Sequence, residues 1–235
     1  MNYKIINSGS DGNAVLVEDR LLIDCGVTFG KIEPFYKKLD LVLLTHIHSD
    51  HFNKNTIKRL IKLRPTLRFG CCNWLKEELI NCGVNPHNID IYELNYGYQY
   101  KSSFAIEPFK LFHDVPQCGY KVFLNDKKLI YATDTKTIDH VEAKDYDVYL
   151  IEANYKDEET LRARSDNEDY VKRVLNTHLS QEKATEWLLN NMSDNSIYEF
   201  MHQHKEKEIS KRFMDIKPLL EKVSSITEIG RASCR

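Results

Sequence analysis

The chain has 235 residues, of which 42% are hydrophobic, and a formal net charge of −2 at pH 7. That is enough apolar material for one sizeable core. The small net negative charge excludes the class of proteins that attract nucleic acid over their whole surface. No stretch approaches the roughly 18 apolar residues of a membrane span, and residues 1–7 lack the apolar stretch of a signal peptide. We therefore expect a soluble, cytoplasmic protein, whose six cysteines, with no C-x-x-C pair, are free thiols.

Short strands and turns alternate in the first third of the chain. The predicted strands cover residues 4–7, 14–18, 20–24 and 41–44. The last of these is continuously apolar, as expected of a strand buried on both faces. Helices are predicted next over residues 55–63, from the spacing of the apolar side chains, and over 74–82, where Gly83 ends the helix.

The middle of the chain repeats this order of strands followed by helices. Strands are predicted over residues 104–112, 119–124, 128–132, 148–152 and 196–201. Two long charged helices are predicted over 158–174 and 181–190. Two strand-rich segments, each followed by helices, indicate two stacked sheets with helices outside them, within residues 1–208. Residues 209–235 are predicted to form a C-terminal helix and tail, the last six resembling a vector-derived remnant.

Four metal-capable side chains occur within six residues, directly after the buried strand at 41–44. They are His46, His48, Asp50 and His51. In an extended loop the first two histidines project to the same side, because side chains alternate with period two, and the other pair comes at the next turn. One segment can therefore supply ligands to two adjacent metal ions. The H-x-H-x-D-H spacing is much more specific than a single histidine at a strand end.

This motif after a buried strand resembles the metallo-β-lactamase superfamily. The resemblance implies an α/β fold, a single-domain four-layer αββα sandwich. It also implies three further ligands, which the sequence offers in order as His113, Asp134 and His202. His204 competes with His202 for the last position, and His202 is favoured because it comes first after the apolar run.

The resemblance divides these ligands between two divalent ions. One ion is held by His46, His48 and His113, the other by Asp50, His51 and His202, and Asp134 bridges both. Imidazole and carboxylate ligands suit Zn²⁺, and carboxylate-rich variants also take Mn²⁺, so both metals stay open. Ions about 3.5–4 Å apart lower the pKa of a shared water, and the hypothesis is that the resulting hydroxide attacks phosphorus or a carbonyl carbon.

Further segments resemble the YycJ/WalJ group of the superfamily, which is related to tRNase Z and RNase J. They are residues 7–13, 21–26, 113–114, 119–120, 151–154 and 177–180. In tRNase Z a histidine in a comparable segment donates a proton and is oriented by an acidic residue. The resemblance carries these roles to His178 and Glu152, which join Asp50 as the predicted catalytic residues. The alternative is that His178 is only a residue at a helix N-terminus, with Ser180 as the cap.

These features predict a phosphodiesterase, most similar to a nuclease, with DNA or RNA as its partner and no membrane partner. A thioester or lactone hydrolase and a non-catalytic metal-stabilised binding module remain alternatives. Two segments also have two interpretations. The basic segment 56–68 is either a solvated helix face or a phosphate-facing patch, and residues 8–13 form either an Asp-Gly hairpin turn or a phosphate cradle. Asp24 is expected to support the site.

Overall fold

The computed structural model describes residues 1–100 and 104–203, and the backbone of 211–212. Its strands are β1 (Tyr3–Asn7), β2 (Ala14–Val17), β3 (Leu21–Ile23), β4 (Leu41–Leu44), β5 (Arg68–Cys72), β6 (Ile89–Tyr92), β7 (Tyr98–Gln99), β8 (Phe104–Lys110), β9 (Cys118–Leu124), β10 (Lys127–Ala132), β11 (Val148–Glu152), β12 (Ile197–Met201) and β13 (Lys211–Arg212). Its α-helices are α1 (Phe29–Ile32), α2 (Lys54–Leu63), α3 (Lys76–Asn81), α4 (Glu158–Arg164), α5 (Glu168–Thr177) and α6 (Gln181–Asn191).

All nine predicted strands are present, with ends that differ by at most two residues, but β5, β6, β7 and β13 were not predicted. The continuous helix predicted over 158–174 is wrong, because the chain breaks between α4 and α5. There the Asn167 side chain accepts a hydrogen bond from the Tyr170 amide and starts a new helix. The helix predicted over 74–82 begins as a 3₁₀ turn before α3. His204 and the predicted C-terminal helix lie outside the described residues, except that β13 is extended.

The strands form two mixed sheets. The first has six strands in the order β1-β2-β3-β4-β5-β6, and the second has seven in the order β13-β12-β11-β10-β9-β8-β7. In the first sheet the strands from β3 to β6 are parallel. In the second, β10, β11 and β12 are parallel, and β8 has the same direction because both β8 and β10 pair antiparallel with β9. The carboxyl ends of four strands of the second sheet therefore meet at one edge.

The two sheets pack face to face, with helices on their outer faces. Strand β4 is continuously apolar because both of its faces are buried. Leu41 and Leu43 lie in the core between the sheets, whereas Val42 and Leu44 lie in the core between the first sheet and its helices. A third core joins the second sheet to α6. These layers confirm the predicted αββα sandwich. Within the described residues, no helix has the length and apolar character needed to cross a membrane.

The cysteines behave as predicted where their side chains are described. Five of them are free and buried, and none forms a disulfide. Burial raises the pKa of the Cys71 thiol to about 12, so this thiol is protonated and unreactive at neutral pH.

Candidate metal centre

The seven side chains predicted as metal ligands meet at one edge of the sandwich. The H-x-H-x-D-H segment follows β4, His113 follows β8, Asp134 follows β10, and His202 follows β12. Parallel strands end at the same edge of a sheet, so residues far apart in sequence arrive together there. Asp134 and His202 both have left-handed backbone conformations, with φ of 54° and 53°, which turn the chain sharply after each strand.

The first group consists of His46, His48 and His113, whose ligand atoms lie within 4.8 Å of one another. Nδ1 of His48 and Nε2 of His113 are 3.3 Å apart, about the separation of two nitrogens bound to one tetrahedral Zn²⁺. Nδ1 of His113 donates to the Thr177 carbonyl over 2.9 Å, which leaves Nε2 facing the centre. Nε2 of His46 is buried and has no hydrogen-bond partner. Three nitrogens therefore converge on one point.

The second group consists of Asp50, His51 and His202. Nε2 of His202 lies 3.4 Å from Oδ2 of Asp50. Asp24, which is fully buried, holds Nδ1 of His51 at 2.6 Å and directs its Nε2 to the centre. The Thr45 amide and hydroxyl also donate to Asp24. Asp24 thus contacts the outer side of the site, where it fixes a ligand ring in the way that supporting carboxylates do.

Asp134 lies between the two groups. Its ligand atoms are within 4.8 Å of those of His46 from the first group and His51 from the second. Oδ2 is 2.8 Å from Nε2 of His51, and Oδ1 is 3.5 Å from Nδ1 of His202. The Asp134 carboxylate is therefore within reach of both groups and would be shared by two ions held there.

Two of these groups, Asp134 and His46, have the protonation state that a metal ligand needs. Burial raises the pKa of the Asp134 carboxyl, but positive charge on His202 and His51 outweighs burial and holds the pKa well below its usual range. Burial and the neighbouring charge of His51 lower the pKa of His46 well below 6.5, so His46 is a neutral electron-pair donor. Ionised carboxylates, neutral imidazole and a buried unpaired nitrogen are a donor set that suits Zn²⁺ or Mn²⁺.

Glu152 and His178 form a close pair beside the second group. Nδ1 of His178 lies 2.6 Å from Oε1 of the fully buried Glu152, whose other oxygen accepts hydrogen bonds from the Thr135 and Leu179 amides. The His178 ring stacks on that of His202, with centroids 5.3 Å apart. Burial lowers the pKa of His178, but the charge and hydrogen bond of Glu152 outweigh burial and raise it.

The alternative interpretation of His178 places it at a helix N-terminus that Ser180 caps. Ser180 does cap α6, by accepting a hydrogen bond from the Lys183 amide. His178 itself follows Thr177, the last residue of α5, and its side chain contacts Glu152.

The turn at residues 8–13 contacts the second group directly. Nδ2 of the fully buried Asn13 lies 3.3 Å from Oδ2 of Asp50 and 2.8 Å from Nε2 of His51. The Ser8 hydroxyl accepts a hydrogen bond from the His202 amide over 2.7 Å. These contacts were not predicted from the sequence, because the residues of an Asp-Gly turn do not indicate which part of the fold the turn contacts. The turn therefore packs directly against three predicted ligands.

Asp114 is a second residue whose position was not foreseen. Its Oδ1 lies 3.3 Å from Nε2 of His48 and 3.1 Å from Nε2 of His113. The available signals were its place next to a predicted ligand and the resemblance of residues 113–114 to the YycJ/WalJ group.

The basic segment 56–68 serves the fold with at least two of its five cations. Arg64 donates to the carbonyls of Tyr36 and Leu39, and Arg68 pairs with Asp90. These contacts favour the interpretation of the segment as a structural face rather than as a phosphate patch.

Comparison with known proteins agrees with this geometry. The family model described as "Beta-lactamase superfamily domain" matches residues 19–198. The chain belongs to this family. Exodeoxyribonuclease WalJ of Streptococcus pneumoniae, from strains D39 and R6, is 28% identical over 226 residues, which cover 88% of this chain and 83% of WalJ. This likeness confirms the resemblance to the YycJ/WalJ group.

Solved structures show the same fold. The metallo-β-lactamase fold protein YhfI from Bacillus subtilis has a TM-score of 0.68 at 18% identity, covering 87% of this chain and 86% of YhfI. The short form of human tRNase Z has a TM-score of 0.66 at 16% identity, covering 86% and 92%. Zn²⁺-bound PqqB from Methylobacterium extorquens has a TM-score of 0.64 at 13% identity, covering 86% and 89%.

Proposed function

We propose that the protein is a dinuclear-metal-dependent phosphodiesterase that cleaves DNA or RNA. The observation that carries this proposal is the pairing of His178 with Glu152 beside a complete set of seven metal-capable side chains. The exodeoxyribonuclease name of the WalJ relative supports the same class of substrate.

The chain's own residues define what each part of the site does. His46, His48 and His113 would hold one divalent ion, Asp50, His51 and His202 the other, with Asp134 shared between them. When bound, such ions supply a water of lowered pKa and neutralise the charge that develops on a phosphate in the transition state. Asp24 and the Thr177 carbonyl keep the ligand rings in the tautomers that face the centre.

His178 is suited to protonate the leaving oxygen. Glu152 accepts a hydrogen bond from Nδ1 of His178, which leaves Nε2 available to the substrate, and the raised pKa of His178 favours the protonated ring. An alkoxide leaving group from a nucleotide sugar needs that proton, whereas a thiolate or an activated phenolate leaves without it. A dedicated acid therefore favours phosphodiester cleavage over thioester cleavage, which is the second candidate.

The test compares leaving groups in one set of variants. In His178→Ala we expect cleavage of single-stranded oligonucleotides to fall about 10²–10⁴-fold, the usual contribution of a general acid. Cleavage of bis(p-nitrophenyl) phosphate should fall much less, because its leaving group is already a weak base. His87→Ala removes an exposed histidine and serves as the matched control. Asp134→Ala, which removes the shared carboxylate, should abolish both activities.

Three results would contradict the proposal. Equal losses of activity on the oligonucleotide and on bis(p-nitrophenyl) phosphate would show that His178 is not the general acid. Efficient thioester or lactone hydrolysis that is indifferent to His178→Ala, with no oligonucleotide cleavage, would favour the small-molecule hydrolase. Stoichiometric metal binding without hydrolysis of any substrate would favour the binding module.

A further inference from the structure

A buried tyrosine of the second sheet forms a hydrogen bond with the carboxylate that supports a predicted ligand of the first. The Tyr131 hydroxyl donates to Oδ2 of Asp24 over 2.9 Å, and both side chains are fully buried. Tyr131 lies in β10, whereas Asp24 follows β3, so this bond crosses the interface between the two sheets. Burial raises the pKa of the Tyr131 phenol well above its usual range, so the hydroxyl keeps its proton and is the donor.

The two oxygens of the Asp24 carboxylate have different partners. The Thr45 amide donates to Oδ1 over 3.0 Å, and the Thr45 hydroxyl, which has one proton to donate, is nearer to Oδ1 (2.9 Å) than to Oδ2 (3.1 Å). Oδ2 is left to the Tyr131 hydroxyl and to Nδ1 of His51, which lies 2.6 Å away. The oxygen that holds the ligand ring is therefore the oxygen that the phenol contacts.

Strand β10 thereby acts on both nitrogens of the His51 ring. Nε2 of His51 lies 2.8 Å from Oδ2 of Asp134, which follows Tyr131 by three residues in the chain. One ring nitrogen meets a carboxylate that β10 carries into the centre. The other meets a carboxylate that β10 contacts through the Tyr131 hydroxyl. A displacement of β10 relative to the first sheet would therefore change both contacts of this ligand together.

A buried phenol needs a hydrogen-bond partner in any fold, and a backbone carbonyl is enough to satisfy it. The Tyr149 hydroxyl in the neighbouring strand β11 contacts such a carbonyl, that of Ala143, over 2.6 Å. The Tyr131 hydroxyl instead contacts a carboxylate that holds a predicted ligand. We propose that Tyr131 is a positioning residue, which acts through Asp24 to fix the tautomer and orientation of the His51 ring and so strengthens the binding of the second ion. This inference rests on the dinuclear centre of the proposed function and not on the identity of its substrate.

The test measures the binding of Zn²⁺ and Mn²⁺ without turnover. Tyr131→Phe removes one hydroxyl and leaves the ring in place. We expect the affinity for the second ion, the one assigned to Asp50, His51 and His202, to fall about 10–100-fold, the usual effect of losing an outer partner of a ligand. Chelator competition measures this affinity. Elemental analysis after dialysis against a metal buffer should find about half the metal content of the wild type in the variant.

Two controls separate positioning of the ligand from general support of the fold. Tyr149→Phe makes the same chemical change at another fully buried position. It should lower the Tm of the metal-free protein about as much as Tyr131→Phe does, but keep the metal affinity of the wild type. Asp24→Asn interrupts the connection between Tyr131 and His51. In that background Tyr131→Phe should cause no further loss of affinity, because a residue that acts through Asp24 has no separate effect.

The outcomes distinguish this inference from the proposed function. A Tyr131→Phe protein that keeps the wild-type affinity for both ions would overturn the positioning role and leave the hydroxyl as a structural contact like that of Tyr149. A further loss of affinity in the Asp24→Asn background would overturn it too, because Tyr131 would then act by another route. A wild-type protein that binds no metal would overturn the dinuclear centre and both proposals with it. A wild-type protein that binds both ions but cleaves no nucleic acid would overturn the proposed substrate alone.

Discussion

Replacing Gly26 by alanine tests how tightly the ligand loop is packed against the rest of the fold. Gly26 follows β3, and its amide donates to the Asn13 carbonyl. A Cβ atom on Gly26 would overlap the carbonyl group of Asp50 and lie 2.6 Å from the His51 amide nitrogen, whereas real Cβ contacts stay above 3.0 Å. Both neighbours are backbone atoms of predicted ligands, so the strain cannot be relieved by rotating a side chain.

The expected cost follows from this overlap. Overpacking a tight interior costs about 1–3 kcal/mol, and the absence of a movable side chain places Gly26→Ala at about 3 kcal/mol or above. For a chain of this size each kcal/mol lowers the Tm by about 2–4 °C, so a fall of roughly 6–12 °C is expected. Because the ligand backbone must move, metal content should also fall. Thermal denaturation followed by circular dichroism, with and without chelator, measures the first effect, and elemental analysis measures the second.

Gly30→Ala is the matched control. Gly30 lies in α1, and nothing is within 4 Å of the position of its Cβ atom. Alanine there should leave the Tm unchanged or raise it slightly, since glycine within a helix costs up to about 0.5–1 kcal/mol relative to alanine. A Gly26→Ala protein with a Tm within about 2 °C of the wild type and full metal content would refute the packing described here.

Three further predictions concern the second ligand group. Asn13→Ala removes the amide contacts to Asp50 and His51 and should weaken metal binding about 10–100-fold in chelator competition, with little change in the far-ultraviolet spectrum. Burial lowers the pKa of His202, but Asp134 and neighbouring hydrogen bonds outweigh burial and raise it to about 10. The stability that protonated His202 contributes to the metal-free protein should therefore be complete below about pH 6.5 and be lost as pH rises toward 10. Urea denaturation in chelator over this pH range measures the loss. Metal binding at pH 7 should release protons from the same histidine, so calorimetric enthalpies should depend on the buffer, and a buffer-independent enthalpy would contradict the assigned protonation.

Local patterns in the sequence determined nine of the described strands and one half of the candidate metal centre. The run at 41–44 predicted a strand with two buried faces, and β4 has a core on each side. The segment that follows carries four metal-capable side chains, three histidines and one aspartate, at a spacing that a turn after a strand can direct to two adjacent points. These features depend on the alternation of side chains along a strand and on neighbours within a few residues, so a short segment of sequence is enough to predict them.

The remaining contacts depended on how distant segments meet. His113, Asp134 and His202 were ordered along the chain by family resemblance, but only the shared direction of β8, β10 and β12 brings them to one edge. Asn13 and Asp114 lie in segments that resemble the YycJ/WalJ group, but the local sequence does not show that Asn13 lies 2.8 Å from Nε2 of His51 or that Asp114 lies 3.1 Å from Nε2 of His113. Tertiary structure decided these positions, because strand pairing and sheet packing, rather than local periodicity, determine which loops share an edge.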